Sequence, residues 1–484
     1  MSKFKSAVLD TSLFRRSYII CLFICNITVL LIPAYIGLVV LFCWGAFLLI
    51  RNEIKKHTAL KTRYGMWLIL FIFSSVFTIA FHISSQLLTN AYNVVMLLHA
   101  AICFFIFYGV HTEKHLNFRR EFYAVCSFMV YATTVMGVIG LACLMAGIKV
   151  EVFHIGFIIF ENRFTGMYMN PNYLGYISVF AIFCCHALTK KDFIEISGRK
   201  RVSRVWLISC VTVNAISLLL CDSNASLVLA IGYAVVFSAY MIFSGDVKLD
   251  FGKIVKKASV SLLAGVIIVA SLLFVRHVVQ LGFSEIVRMT GTVRVMEAAE
   301  EPSDEKVVTF EHKNANVDSG RFTLWKQAAE MFTVSPVTGV GRGNIYEIGE
   351  GMFEKGVKFS DKYGVFAPYI TDFHNGYIMI LISVGALGFI LFMIFLVRFF
   401  WRLTRHVLGN HMLGDSTLPC MYAFLCAYLV FAMVEITLLF NITFMVVTFW
   451  LIMGYASCFL TRFEPDHPIQ TFTLFGKKFR KTLL

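Results

Sequence analysis

Charge is what this sequence is short of. Asp, Glu, Lys and Arg together make up 15% of its 484 residues, where a soluble domain usually carries about 25%, and 58% of the chain is hydrophobic. So large an apolar surplus cannot be hidden in two or three soluble cores whose surfaces must stay polar, which excludes a cytosolic enzyme. Proline is scarce at 8 residues and glycine reaches only 32, while aromatics make up 15%; disordered and collagen-like chains are excluded as well. No Cys-X-X-Cys pair occurs. The 13 cysteines fall mostly inside apolar runs, singly or as Cys184-Cys185, and read as buried or lipid-phase residues, not as a disulfide frame or zinc site. Lys3, Lys5, Arg15 and Arg16 precede the first apolar run with no small-residue cleavage signal, the pattern of an uncleaved first helix. Internal repeats and low-complexity tracts are not evident.

What the chain has instead is apolar runs. A hydrocarbon core of about 30 Å needs roughly 20 apolar residues per helix. Twelve runs answer to that need, near 17–32, 34–50, 65–82, 92–110, 122–147, 172–188, 205–221, 226–244, 258–275, 375–397, 418–436 and 438–460. The expected fold class is all-α, a polytopic membrane protein of about 12 transmembrane helices. The net charge of +14 would suggest nucleic acid in a soluble protein, but here topology accounts for it and no nucleic-acid partner is expected. Of 43 Lys and Arg, 30 lie on the alternate set of loops that includes both termini, and only Lys149 and Arg163 lie on the other short loops. By the positive-inside rule, both termini are cytoplasmic in a multi-pass protein of the cell membrane, and the basic loops face anionic lipid.

The remaining 11 basic residues fall in one long segment, 276–374, with 14 of the 29 acidic residues. Long loops translocate largely regardless of charge, so this segment is expected to be a large extracytoplasmic loop between helices 9 and 10. The chain then divides into 1–275 (helices 1 to 9), 276–374 (the loop), 375–460 (helices 10 to 12) and 461–484 (a cytoplasmic basic tail). Within the loop, the polar run from Glu297 to Ser319 reads as mobile or as an exposed elaboration. A helix is expected from Ser319 to about Phe332, capped by Asp318 or Ser319, with Leu324, Trp325, Ala328, Ala329 and Phe332 at helical spacing. Gly339, Gly341 and Gly343 end it; with no strand before them and no GK[ST] after, they read as a turn and not a phosphate loop.

Function in a membrane protein concentrates where polar groups persist beside apolar spans. Arg163, in Asn162-Arg163-Phe164-Thr165-Gly166 ahead of Asn170-Pro171-Asn172, is either a headgroup-seeking side chain or an anion ligand. Arg321 lies in the first turn of the loop helix, where unpaired N–H groups and a guanidinium together suit phosphate; a surface ion pair is the plainer alternative. His374-Asn375 stands where the loop enters the tenth run, beside the place where a lipid-anchored substrate would present its reactive end; a lone interfacial His is also often structural. Glu435 reads as the outer end of the eleventh run, in a structural pair or facing an aqueous cavity. His277 and His312 lack partners at metal spacing, so no metal site is expected.

Taken in order, these segments resemble the O-antigen ligase and polymerase superfamily. The matching motifs are Arg163-Phe164-Thr165-Gly166 with Asn170-Pro171-Asn172, Gly320-Arg321, Leu324-Trp325, Ser335-Pro336-Val337-Thr338-Gly339-Val340-Gly341, His374-Asn375-Gly376-Tyr377 and Gly385-Ala386-Leu387-Gly388. The resemblance implies a metal-independent, cofactor-free glycosyltransferase of polysaccharide biosynthesis. Its donor would be an undecaprenyl-pyrophosphate-linked glycan at the outer face of the membrane. His374 and Arg321 would be the catalytic residues, His374 as general base for an acceptor hydroxyl, and Arg321 would hold the donor pyrophosphate with Arg163. Asn172 and Asn375 complete the substrate-binding set. One departure stands out: where the family often carries Ser-Arg, this chain reads Asp222-Ser223-Asn224-Ala225-Ser226, so that Arg276, Arg288 or Arg342 replaces the expected guanidinium or pyrophosphate is held differently.

The implied chemistry suits these residue types. Imidazole titrates in the right range for a base, and guanidinium stays charged and binds phosphate oxygens in pairs. Partners would be the lipid-linked oligosaccharide donor, a glycan acceptor, membrane lipids and other polysaccharide-assembly membrane proteins. Polymerisation of O-antigen or capsule repeat units is favoured over ligation to lipid A core or another acceptor. A polysaccharide flippase or other transporter is the alternative of another class.

Overall fold

The computed structural model describes residues 6–82, 87–113, 117–148, 150–152, 155–160, 163–191, 202–244, 251–289, 321–352, 372–409, 416–463, 470–474 and 477–481. The Glu297–Ser319 run, its capping positions and His312 lie outside them, as does the side chain of Arg288. Each apolar run overlaps a described helix. Among the described residues, seven helical stretches are long and apolar enough to cross a membrane, and four shorter apolar helices accompany them.

The helices are α1 (Thr11–Ile24), α2 (Leu31–Lys56), α3 (Thr58–Lys61), α4 (Gly65–Phe81), α5 (Leu87–Ile102), α6 (Phe118–Met145), α7 (Pro171–Leu188), α8 (Arg204–Leu220), α9 (Asn224–Phe243) and α10 (Phe251–Met289). They continue with α11 (Arg321–Phe332), α12 (Ile345–Met352), α13 (Gly376–Gly409), α14 (Leu418–Phe431) and α15 (Phe444–Phe463). Most of α7 is buried inside the bundle, whereas the most apolar stretch of α10 buries nothing and stands at its edge. All 13 cysteines are unpaired thiols.

Several boundaries differ from the sequence expectation: the helix expected to end at 275 continues to Met289 as α10, so that Arg276 lies on a helix and not in the loop. The first two runs divide at residues 25–30 and not at Pro33, which falls in the first turn of α2, where proline removes no helical hydrogen bond. The last two runs are separated by a non-helical segment, 432–443, so that Glu435 lies outside any helix. Its backbone is held by neighbouring side chains: Tyr428 OH donates to Thr437 O and Met445 O at 3.2 and 2.7 Å, and Trp450 Nε1 donates to Leu438 O at 2.8 Å. Between α6 and α7 the described residues are not helical. Residues rich in β-branched and aromatic side chains form a three-stranded antiparallel sheet, β1 (Val150–Val152), β2 (Ile155–Phe160) and β3 (Arg163–Gly166), in that order. A two-stranded pair, β4 (Gln470–Leu474) and β5 (Lys477–Lys481), follows α15.

One end of the bundle is clamped by Arg15, fully buried on α1. Its Nε meets Glu121 Oε1 at 2.7 Å, its Nη1 meets Glu113 Oε1 at 2.5 Å and Ile106 O at 3.2 Å, and Tyr455 OH donates to Glu121 Oε1 at 2.9 Å. Satisfying every polar atom is what makes a buried charge of this kind tolerable.

The opposite end is organised by a break in α13. At Gly385 (φ 65°, ψ −175°) the helix is interrupted. The carbonyls of Ile382 and Ser383, which would have received the amides of Ala386 and Leu387, instead accept from Val340 N and Gly341 N at 2.9 and 3.0 Å. The freed Ala386 and Leu387 amides donate to Pro336 O and Val337 O at 2.8 and 3.2 Å. Two lost helical bonds are thereby replaced by four. Further anchors come from Thr78 Oγ1 on Thr338 O, His82 Nε2 against Gly339 O at 3.0 Å, and Gly343 N on Asn93 Oδ1 at 2.6 Å. Irregular backbone inside a helical membrane protein is stable only when its polar groups are met in this way.

Candidate functional site

Arg321 is the first residue of α11, a helix that buries Leu324, Gln327, Ala328 and Met331. The inward face is thus one step off the expected periodicity, with Ala329 exposed. Trp325 fixes the helix to the next functional segment: its Nε1 donates to Phe373 O at 3.1 Å. His374 follows in a tight turn. Its amide donates to Asp372 Oδ1 at 2.7 Å and its φ is 45°, in the left-handed region. Asn375 then caps α13, its Oδ1 accepting from Tyr377 N and Ile378 N at 2.9 and 3.0 Å. Gly376 brings this corner against the 432–443 segment. Its amide donates to Ala432 O at 2.7 Å, and a Cβ there would press on the Ala432 and Glu435 carbonyls at 3.3 Å.

That close approach sets Glu435 between His374 and Arg321. Glu435 Oε2 is 3.5 Å from His374 Nδ1, and Oε1 is 3.9 Å from Arg321 Nη2. The three side chains are 14%, 35% and 20% exposed, respectively. Both separations are those of ion pairs, not of formed hydrogen bonds. Arg321 Nε, His374 Nδ1 and Glu435 Oε1 are buried with no hydrogen-bond partner among the described residues. Buried polar atoms are nearly always paired, so three unmet ones converging at a single place form a polar recess with unused donor and acceptor capacity. The Glu435 carboxylate holds His374 above the ordinary imidazole range; burial and Arg321 pull it down, while Asp372 adds to the rise.

The other two sequence candidates meet each other at the adjoining corner. Arg163 on β3 donates from Nη2 to Asn172 Oδ1 at 2.8 Å and from Nε to Cys221 O at 2.9 Å. Asn172 lies in the first turn of α7, which is capped by Asn170. The next residue, Tyr173, lies within electrostatic range of Glu435 and Asp372. Over the Asp222-Ser223-Asn224 departure lies Arg276 of α10. Its Nη1 donates to Asn224 Oδ1 at 2.9 Å and its Nη2 pairs with Asp222. Gln280 Nε2 joins them at 3.0 Å from Asp222 Oδ1. Arg276 therefore brings a guanidinium to this turn from another helix, although Asp222 meets its charge. Arg342 Nε donates to Phe440 O at 3.3 Å, on the far side of the 432–443 segment. The amides of Gly339, Val340, Gly341 and Gly343 are all engaged by protein acceptors, so the glycine-rich stretch docks into the helix break and cradles no phosphate.

Glu435, assigned to a helix end in the sequence reading, is the residue that reading left out of the site. Its signal was a carboxylate between two apolar runs, a position where ionisable groups are rare and usually functional. Among the described residues, no group of three or more His, Cys, Asp or Glu side chains is arranged to hold a metal ion.

Residues 209–393 match the family model described as O-antigen ligase. The match takes in Arg276, Arg321, His374, Asn375 and the Gly339–Gly385 contact; Arg163, Asn172 and Glu435 lie outside it. No curated protein matches the chain. This match over residues 209–393 supports the O-antigen ligase and polymerase superfamily that the sequence motifs resemble.

Proposed function

We propose that this protein is a membrane glycosyltransferase that polymerises surface polysaccharide repeat units, O-antigen or capsule, from an undecaprenyl-pyrophosphate-linked donor at the outer face of the cytoplasmic membrane. The observation that carries this reading is the convergence of His374 and Arg321 on one recess with unmet polar atoms. In the reaction an acceptor hydroxyl attacks the anomeric carbon of the donor glycan, and His374 takes the hydroxyl proton. The bond from the anomeric carbon to the pyrophosphate oxygen breaks, and the leaving pyrophosphate carries away the electron pair. Arg321 stabilises that developing charge, since a fixed guanidinium in a site sheltered from water is worth more than one in bulk solvent. Arg163 and Asn172 support the donor from the neighbouring corner, and Asn375 fixes the turn that presents His374.

The match to an O-antigen ligase family model is equally consistent with a second reading, in which the same donor is transferred to a finished anchor such as lipid A core. A transporter is less well supported. Broken helices in transporters leave carbonyls and amides for the substrate, whereas the groups freed at Gly385 are taken up by Pro336, Val337, Val340 and Gly341. The deciding experiment incubates the purified full-length protein with lipid-linked repeat units, with and without a lipid A core acceptor. Elongated lipid-linked product supports polymerisation, and product on the core alone supports ligation. Absence of any glycan transfer under both conditions would remove the enzymatic reading.

A further inference from the structure

We infer that Glu435 is a positioning residue for His374: its carboxylate engages Nδ1 of the ring, fixes the tautomer, and leaves Nε2 as the nitrogen that meets the acceptor hydroxyl. The inference deepens the proposed function and rests on it only for the role of Nε2. Its basis is geometric. Glu435 Oε2 is the acceptor placed at His374 Nδ1, at 3.5 Å, and Nδ1 is buried with no hydrogen-bond partner among the described residues. The backbone that carries this carboxylate is held in place. Glu435 projects from the non-helical 432–443 segment, whose backbone is pinned by Tyr428, Trp450 and the Gly376 amide. The His374 backbone is pinned in turn by Asp372 Oδ1 and by the Asn375 cap.

A neutral imidazole has one N–H and one lone pair, and which nitrogen carries the proton is set by what the other side of the ring meets. A carboxylate at Nδ1 selects the Nδ1–H form and places the lone pair on Nε2. It also stabilises the imidazolium that forms when the hydroxyl proton arrives. Three charged groups face the ring from the elements packed around it, Glu435 from 432–443, Asp372 from its own turn and Arg321 from α11, while Tyr173 of α7 lies within electrostatic range of the two carboxylates. The two carboxylates favour the protonated ring and Arg321 opposes it. Arg321 also competes for Glu435 through Oε1 at 3.9 Å, so a donor pyrophosphate that occupies Arg321 would free the carboxylate to close on His374.

The test reads the ring itself as well as turnover. In ¹⁵N-histidine-labelled full-length protein, the His374 signal is identified by its loss in His374→Gln. The wild type should show the Nδ1–H tautomer when neutral and a titration above that of free imidazole. In Glu435→Gln the titration should move to lower pH, the acid limb of the pH–rate profile should move with it, and turnover should fall about 10²-fold, as when a ring-orienting partner is lost. Glu435→Asp should restore part of both. An Nε2–H tautomer in the wild type overturns the inference, and so does a titration that Glu435→Gln leaves in place. If the titration moves as expected while His374→Gln keeps wild-type turnover, the pairing stands and the role of His374 as base falls.

Discussion

Gly339 and Gly385 face each other across the break in α13 with no room for a side chain on either. Both have positive φ, 74° and 65°, and a Cβ on Gly339 would land on the backbone nitrogens of Gly385 and Val384. One on Gly385 would land on Val337 O and Gly339 N. Since Ser335–Gly341 supplies the partners that α13 lacks there, this contact is where the long loop is joined to the bundle. Alanine at either position should therefore cost more than the roughly 1–2 kcal/mol of left-handed backbone alone. Thermal unfolding in detergent should show a lowered Tm and reduced monodisperse yield for both variants. Gly282→Ala, where nothing lies within 4 Å, should leave the yield unchanged and the Tm equal or slightly higher.

Arg15 is expected to be the most sensitive charge at the other end of the bundle. Arg15→Met leaves Glu121 buried without its cation, and breaking such a pair costs about 3–5 kcal/mol. A large loss of Tm is expected, with partial recovery in the Arg15→Met, Glu121→Gln double variant. Equal stability of wild type and Arg15→Met would show that the pair contributes nothing net.

Arg321 is expected to act through paired hydrogen bonds to the donor. Arg321→Lys keeps the charge but loses the forked geometry, and Arg321→Ala loses both. Loss of a charge-assisted hydrogen bond costs about 1.5–3 kcal/mol, so donor affinity should fall about 10- to 100-fold in the alanine variant and less in the lysine one. Undiminished donor binding by Arg321→Ala at normal protein level would leave Arg321 only its ion pair with Glu435.

His374→Gln should lower turnover by about 10²–10⁴, the usual worth of a positioned base, while donor binding persists. In the wild type, turnover should rise with pH through the raised value of His374, because only the neutral ring can accept a proton. Stability runs the other way. The folded-state pKa lies above the unfolded value of about 6.5, so the charged pair with Glu435 contributes fully below that value and is lost as pH rises through the folded one. A shallow fall in Tm should accompany the rise in turnover, and His374→Gln should abolish that fall.

Orientation is tested by reporter fusions. The charge distribution predicts cytoplasmic signals after Lys191 and Lys257 and external signals after Lys355. An external signal at Lys191 would turn the molecule over and remove the proposed site from the outer face.

Helical runs were legible in the chain, and so was the choice of His374 and Arg321 as candidates, though not the Glu435 that both of them meet. Apolar length dictates a helix wherever lipid must be crossed, since no other local structure satisfies its own backbone. Asn170 and Asn375, each followed by an apolar run, mark helix starts by composition alone, and the structure caps α7 and α13 with them. The strands of 150–166 were missed because runs this short carry no period that separates strand from helix.

Other features depended on contacts between residues far apart in the chain, which local pattern cannot encode. An unbroken apolar run through Gly385 reads as one helix, and only the arrival of Pro336 to Gly341, more than forty residues earlier, supplies the four hydrogen bonds that make a break there stable. Arg276 lies 54 residues from the Asp222 that it covers. Glu435 was read as a helix end because its neighbours are apolar; Tyr428, Trp450 and Gly376 hold it out of the helix and against His374. Composition and the positions of charge set the membrane class and the candidate residue types. Which carboxylate meets which imidazole was decided by tertiary packing, because a distance of a few ångströms between Glu435 and His374 exists only after three separate elements have docked.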